Sequence, residues 1–201
     1  MSGERATATT SEGLELLERA INYTLSSVQL VTHDALSLPS PCSEWDMRAL
    51  LAHLHDSLTA LHEAADIGRV GLAARGHPEG PPVEPVSDDP VAALRGRAGT
   101  TLGAWTNAVD LDVVDIAGVP LSTGIVTGAG ALEVAVHGWD IAQTCGRPQQ
   151  IPATLAEELL QLAPLLVTEA DRPTSFAPPL DVPPCASSAS RLLAFLGRRC
   201  F

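Results

Sequence analysis

Glu133, His137 and Asp140 stand in the run Gly130-Ala131-Leu132-Glu133-Val134-Ala135-Val136-His137-Gly138-Trp139-Asp140, which has helical character. At about 3.6 residues per turn, positions four apart lie about 40° apart around a helix axis. A carboxylate at 133 and an imidazole at 137 therefore converge on one point and can share a divalent cation. Asp140, three residues beyond His137, falls on the same face. Three metal-competent side chains thus form a stripe on an otherwise apolar helix. A second element must complete any site built on it.

The apolar periodicity predicts where such elements run. Leu14, Leu17, Ile21, Leu25 and Val28 step by three and four and mark a first helix. Thr10 or Ser11 can cap it, Glu12 and Glu15 sit in its first turn, and it runs to about Leu36, ahead of Pro39 and Pro41. Ser43 is a cap for a second helix from about Glu44 to Ala65, striped by Leu50, Leu54, Leu58 and Leu61. Gly68 to Ser87 is rich in Gly and Pro and reads as a long loop, a connector that could also cover a site. Val91, Leu94, Ala98, Leu102, Trp105 and Val109 give a third helix. Leu111 to Val126, with Gly118-Val119-Pro120 at its centre, reads as a short extended excursion or hairpin. The fourth helix carries the Glu/His stripe and ends at Gly146 as its C′ residue. A fifth opens at Pro152, buries Leu155, Leu159, Leu162 and Leu166, and is kinked or split by Pro164. A Pro-rich connection, Arg172 to Ser188, leads to a last short helix over about Ala189 to Leu196. The expected fold is all-α in the main: a four-helix bundle with one or two extra C-terminal helices and a short β excursion before helix four. A single domain over 1–201 is expected, with the bundle in 10–170 and the tail in 171–201. Bundle cores are where side chains of facing helices meet a metal.

Helix two offers His53, His55 and His62 as the missing ligand. Around the helix axis, His53 shares its face with Asp46, Ala49, Ser57, Ala60 and Ala64, mostly small residues suited to close packing. His55 and His62 lie about 160–180° away, among Arg48, Thr59 and Asp66, on a solvated face. The small residues select His53. His33 and His77 read as surface residues too. Trp45, Trp105 and Trp139 read as core or pocket wall, and Cys145 as a packing thiol rather than a nucleophile.

Composition narrows the function classes. The formal charge of −12 argues against nucleic acid or an anionic membrane surface as partner. Hydrophobic content is 45% with only 3% aromatic, so the core is aliphatic and Ala-rich, as close helix packing favours. The 12 basic residues are all Arg, a bias of GC-rich genomes. Cys42, Cys145, Cys185 and Cys200 form no C-x-x-C pair, so neither a disulfide framework nor a zinc ribbon is expected. No window approaches the ~18 apolar residues of a membrane span. Residues 1–11 lack the apolar stretch of a signal peptide, and a cytoplasmic location is expected.

Two blocks carry a resemblance: Pro41-Cys42-Ser43-Glu44-Trp45-Asp46-Met47-Arg48-Ala49-Leu50-Leu51-Ala52-His53-Leu54, and Glu133-Val134-Ala135-Val136-His137-Gly138-Trp139-Asp140-Ile141-Ala142. Together they resemble the mycothiol-dependent maleylpyruvate isomerase group of the DinB-like (YfiT-like) helical-bundle superfamily. The tail, with Phe176-Ala177-Pro178-Pro179 and Arg191-Leu192-Leu193-Ala194-Phe195-Leu196-Gly197-Arg198, is similar to a common actinobacterial branch. The resemblance implies zinc held by His53, Glu133 and His137, with mycothiol as co-substrate. The isomerase itself carries a further C-terminal domain, where this chain has a Pro-rich tail and one helix.

Two nitrogens and one carboxylate leave a fourth tetrahedral position open, as in catalytic zinc sites; nickel, iron or manganese would suit the same ligands. A thiol there becomes a thiolate nucleophile; water would become hydroxide-like. The expectation is therefore a thiol-dependent isomerase or S-transferase acting on a small electrophile. Its alternatives are a metal-dependent hydrolase of thiol conjugates and a non-catalytic metal- or ligand-sensing bundle. The oligomeric state, monomer or homodimer, stays open. Asp140 is the candidate for orienting His53 or His137 from behind.

Overall fold

Leu16, Leu17, Ala20, Ile21 and Val28 recur on one helical face, and all are buried along α1 (Ser2–Val28). The structure is a computed structural model that describes residues 2–42, 45–71, 88–169, 172 and 176–199, with side chains from residue 11 onward. The helix runs straight through Thr10 and Ser11, the expected caps, and it ends at Val28 rather than near Leu36. The β-branched pair Val31-Thr32 lies in the break, and Asp34–Ser37 forms only a 3-10 turn. Pro39 then holds Leu38 extended, at φ −74° and ψ 142°.

Helix α2 (Met47–Ile67) starts three residues later than expected, because Asp46 caps it: its carboxylate accepts from the Ala49 amide at 2.8 Å. Ser43, the expected cap, lies outside the described residues, as does Glu44. Beyond Gly68 the chain is not a plain loop, since Arg69–Val70 forms a short strand, β1. The remainder of the expected loop, 72–87, including His77, falls outside the described residues. Helix α3 (Pro90–Asn107) buries Leu94, Ala98 and Trp105, while Val109 lies past its end and is exposed. The expected hairpin is present: β2 (Val113–Ile116) pairs antiparallel with β3 (Val119–Ser122), Val113 opposite Ser122 and Ile116 opposite Val119. β1 adds parallel to β2, giving the order β1-β2-β3.

Ser122, the last residue of β3, caps α4 (Thr123–Thr144), so the hairpin fixes the start of the site-bearing helix. Sixteen of the 22 residues of α4 are buried, including His137 and Asp140, which makes it the central helix. α1 lies along it and α2 crosses it, with α3 packed on α2. Thr24 of α1 donates to the Val134 carbonyl at 2.7 Å, and Thr101 of α3 donates to the Leu58 carbonyl at 3.0 Å, each deep in the core. Gly138 permits the α1–α4 approach: a Cβ there would collide with both side chain and backbone of Thr24.

Gly146, at φ +63°, turns the chain off α4 as expected. Helix α5 (Ala153–Leu166) is one continuous helix through Pro164, which falls in its last turn. Few hydrogen bonds remain to be lost there, so the proline neither splits the helix nor ends it at once. Leu155 and Leu159 are buried, whereas Leu162 and Leu166 are only partly so. The last helix, α6 (Ser188–Phe195), is capped by Ser187 and buries Leu192 and Leu193. Among the described residues the architecture is thus mainly helical, six α-helices and one small sheet, as the sequence implied. No helix of these residues is long and apolar enough to cross a membrane.

Candidate metal centre

Helices α2 and α4 bring His53, Glu133 and His137 together. His53 Nε2 lies 2.6 Å from Glu133 Oε1, and His137 Nε2 lies 3.2 Å from the same oxygen. Their ligand atoms all fall within 4.8 Å of one another, and the two imidazoles meet edge-on at 83°, with centroids 5.0 Å apart. Ser57, one turn after His53, donates to Glu133 Oε1 at 3.3 Å. The small-residue face that selected His53 is therefore the face against α4. Of the rejected histidines, His33 is exposed, whereas His55, expected at the surface, is partly buried and lies beside Asp56. His62 departs from expectation: it is partly buried, and its Nδ1 is buried without a hydrogen-bond partner among the described residues.

Access is one-sided. The side chains of His53 and Glu133 are 36% and 33% exposed, but that of His137 only 8%. Trp45, just ahead of α2, lays its ring 4.5 Å from that of His53 and 6.1 Å from that of His137. It is a wall of the site, whereas Trp105 and Trp139 are core.

Behind His137 the site is closed. Nδ1 donates to Asp140 Oδ2 at 3.0 Å, so Asp140 orients His137, not His53. When the ring is neutral, this bond keeps its one proton on Nδ1 and leaves Nε2 to serve as a ligand. Asp140 is fully buried, and its charge is met by Arg198: Nε donates to Oδ1 at 3.0 Å and Nη2 to Oδ2 at 2.9 Å. Cys42 donates to the same carboxylate at 3.2 Å and accepts from Arg198 Nη2 at 3.5 Å. Neither Cys42 nor Arg198 was singled out from the sequence. Arg198 lies 58 positions from Asp140, beyond any local periodicity, and the blocks that contain Cys42 and Arg198 assigned neither a role. Cys145 is partly buried and far from this cluster in role: burial pushes its thiol pKa up, away from nucleophilic use.

The electrostatics follow from this packing. Burial works to raise the Glu133 pKa, but the His137 charge and hydrogen bonds from His137 and His53 outweigh it, leaving the carboxyl well below the usual range. Burial likewise opposes charge on His137; Glu133 and the hydrogen bond to Asp140 outweigh it and hold the ring's pKa well above its ordinary value. At Asp140, burial is overcome by His137 and by the Arg198 guanidinium, so its pKa is lowered.

Among the described residues, two groups of donors are close enough to hold an ion: His53, Glu133 and His137, and separately Cys42, His137 and Asp140. The second already has its cation, the Arg198 guanidinium bound to both Asp140 and Cys42. The first has negative charge, two imidazole nitrogens and an exposed side, a donor set that fits a divalent transition metal with one position left for a small molecule.

Residues 17–142 match the family model of the Mycothiol maleylpyruvate isomerase N-terminal domain. That span contains His53, Glu133, His137 and Asp140 but ends before α5, α6 and Arg198. Similar curated proteins are an uncharacterized protein of Mycobacterium tuberculosis strain CDC 1551 / Oshkosh and another of strain ATCC 25618 / H37Rv. Each is 27% identical over 175 residues, which cover 84% of this chain and 87% of the relative. No solved structure matches.

Proposed function

We propose, from the premise that this chain belongs to the mycothiol maleylpyruvate isomerase N-terminal domain family, that it is a metal-dependent enzyme using a low-molecular-weight thiol. His53 Nε2, a Glu133 oxygen and His137 Nε2 are the ligands, and the whole chain works as one domain around them. The observation that carries this reading is the convergence of these three donors from two helices on the open side of His137. A bound zinc ion supplies an electropositive open position that lowers the pKa of an entering thiol.

The protein's own residues do the rest. Asp140 keeps the His137 proton on Nδ1, away from the ligand nitrogen. Ser57 holds Glu133 from the α2 side. Trp45 lays its ring against His53, beside the partly exposed edges of His53 and Glu133, the side from which a small electrophile would approach. In an isomerisation, a thiolate adds to a conjugated double bond, the resulting single bond rotates, and elimination returns the thiol. In an S-transfer the thioether is kept: a halide departs as its anion, an opened epoxide keeps its oxygen as a hydroxyl after protonation, and an activated alkene takes a proton at the neighbouring carbon. Mycothiol is the thiol we propose, and an activated alkene, epoxide or halide the electrophile.

The test is to incubate zinc-loaded protein with mycothiol and a panel of such electrophiles and follow products by mass spectrometry. A conjugate or rearranged product that depends on both zinc and thiol is expected. Metal-replete protein that turns over no member of the panel would count against the reading.

A further inference from the structure

We infer that the C-terminal segment is a latch on the metal-binding helix: Arg198, aimed by the end of α6, fixes Asp140 and through it the His137 ring in the orientation that binds metal. The inference rests on the metal reading above, and gives a working part to residues outside the span that defines the family.

The local structure is specific for this aim. Leu196 ends α6, and Gly197 follows at φ +77°. The Gly197 amide donates to the Ala194 carbonyl at 3.0 Å and the Arg198 amide to Leu193 at 2.8 Å, the paired bonds of a Schellman stop. That turn reverses the chain and sends the Arg198 side chain inward, where only 13% of it stays exposed. A Cβ at Gly197 would strike both the side chain and the backbone carbonyl of Ala177, so the extended segment before α6 closes over the turn. Leu180 donates to the Ala194 carbonyl at 2.9 Å, and Arg172 donates to the Phe195 carbonyl at 3.1 Å while covering the Phe195 ring. Apolar burial of Leu192, Leu193 and Leu196 docks the helix.

From there the chain of contacts is short. The guanidinium fork holds both oxygens of Asp140, a geometry that lysine, a point charge, does not reproduce. Oδ2 then accepts from His137 Nδ1. Cys42, positioned by the Ser40 hydroxyl on its own amide at 3.2 Å, packs its thiol on the same oxygen and leaves little room for the carboxylate to rotate. Arg198 touches no metal ligand directly. It is a positioning residue acting through Asp140.

The experiment measures zinc affinity by competition with a chromophoric chelator, on the full chain, for wild type, Arg198→Met, Arg198→Lys, Arg199→Ala and His53→Ala. Circular dichroism checks each fold, and the visible spectrum of the cobalt-loaded form reports ligand geometry. Arg198→Met should bind zinc about 10- to 100-fold more weakly and shift the cobalt bands at saturation, Arg198→Lys should fall between it and wild type, and Arg199→Ala should match wild type in both. Where Arg198→Met fails to fold, Arg198→Lys, which keeps the counter-charge, decides. Wild-type affinity and spectrum in the folded Arg198 variant would overturn the latch. A wild type that takes up no zinc would instead sink the metal reading on which the latch rests.

Discussion

The two nitrogens of the His137 ring face opposite kinds of environment. Nδ1 looks into a closed cluster in which Asp140 is fully buried and its charge is met by Arg198, with Cys42 filling the remaining space. Nε2 looks toward Glu133 and His53, whose side chains are about one-third exposed. On the inner side the protein supplies its own permanent cation, a guanidinium that never deprotonates. On the outer side it gathers negative charge and imidazole nitrogen, the donors proposed above to take an exchangeable cation. One ring thus joins a structural charge pair to a candidate reactive site. Perturbing the two sides should differ most in the metal-free protein: the inner side carries fold stability, the outer side little of it.

The largest expected effect on the metal-free fold comes from the inner side. Arg198→Met removes the guanidinium that grips both oxygens of the fully buried Asp140, a loss of about 3–5 kcal/mol, readable by urea unfolding in the presence of a chelator. His53→Ala under the same conditions should change stability by no more than about 1 kcal/mol, since its pairing with Glu133 is partly solvated. Equal losses for the two variants would erase the distinction drawn here.

A smaller effect is expected at Gly197, the residue just before Arg198. Gly197→Ala forces an L-residue to φ +77° against Ala177, costing about 1–2 kcal/mol. Because the turn aims Arg198, the same variant should also bind zinc more weakly. Full stability in urea would show that the tail accommodates the change elsewhere.

Subtler still is a proton count. The His137 pKa is raised in the metal-free protein, so the charged ring's support of the fold is complete below its ordinary value near 6.5 and is lost as pH rises through the raised value. Zinc held as proposed would take the Nε2 position from that proton. Between those two values, binding should release about one proton per ion, and zinc affinity should climb with pH before levelling off. Calorimetry in buffers of different ionisation enthalpy measures the count; no release would mean that His137 is already neutral.

The outer side of the ring was largely legible in the sequence and the inner side was not. Glu133 and His137 announce themselves by their spacing on one helix, and His53 by the small residues Ala49, Ser57, Ala60 and Ala64 around it, because close helix approach demands small side chains. Periodicity also located the six helices named above, with errors at their ends. Asp46 rather than Ser43 caps α2 because both are good cap residues, and only the turn that places Trp45 on His53 distinguishes them. α1 ended early for a reason written in Val31-Thr32 and Pro39 but outweighed by the apolar stripe before them. Arg198 and Cys42 had no such signal. They reach Asp140 from positions 58 residues after it and 98 before it, through the packing of α6 and of the loop ahead of α2, and no local pattern encodes that meeting.

The central claim, that His53 of α2 and Glu133 and His137 of α4 bind one ion as a unit, is tested most directly by thermal melting with elemental analysis of bound metal. Zinc at about 100-fold over its dissociation constant contributes roughly 2.7 kcal/mol, which for a chain of this size raises the melting temperature by roughly 5–10 °C. His53→Ala, Glu133→Ala and His137→Ala should each abolish both the rise and the bound metal, while His55→Ala and His62→Ala keep both. A rise that survives His53→Ala, or one that disappears with His55→Ala or His62→Ala, would contradict the account.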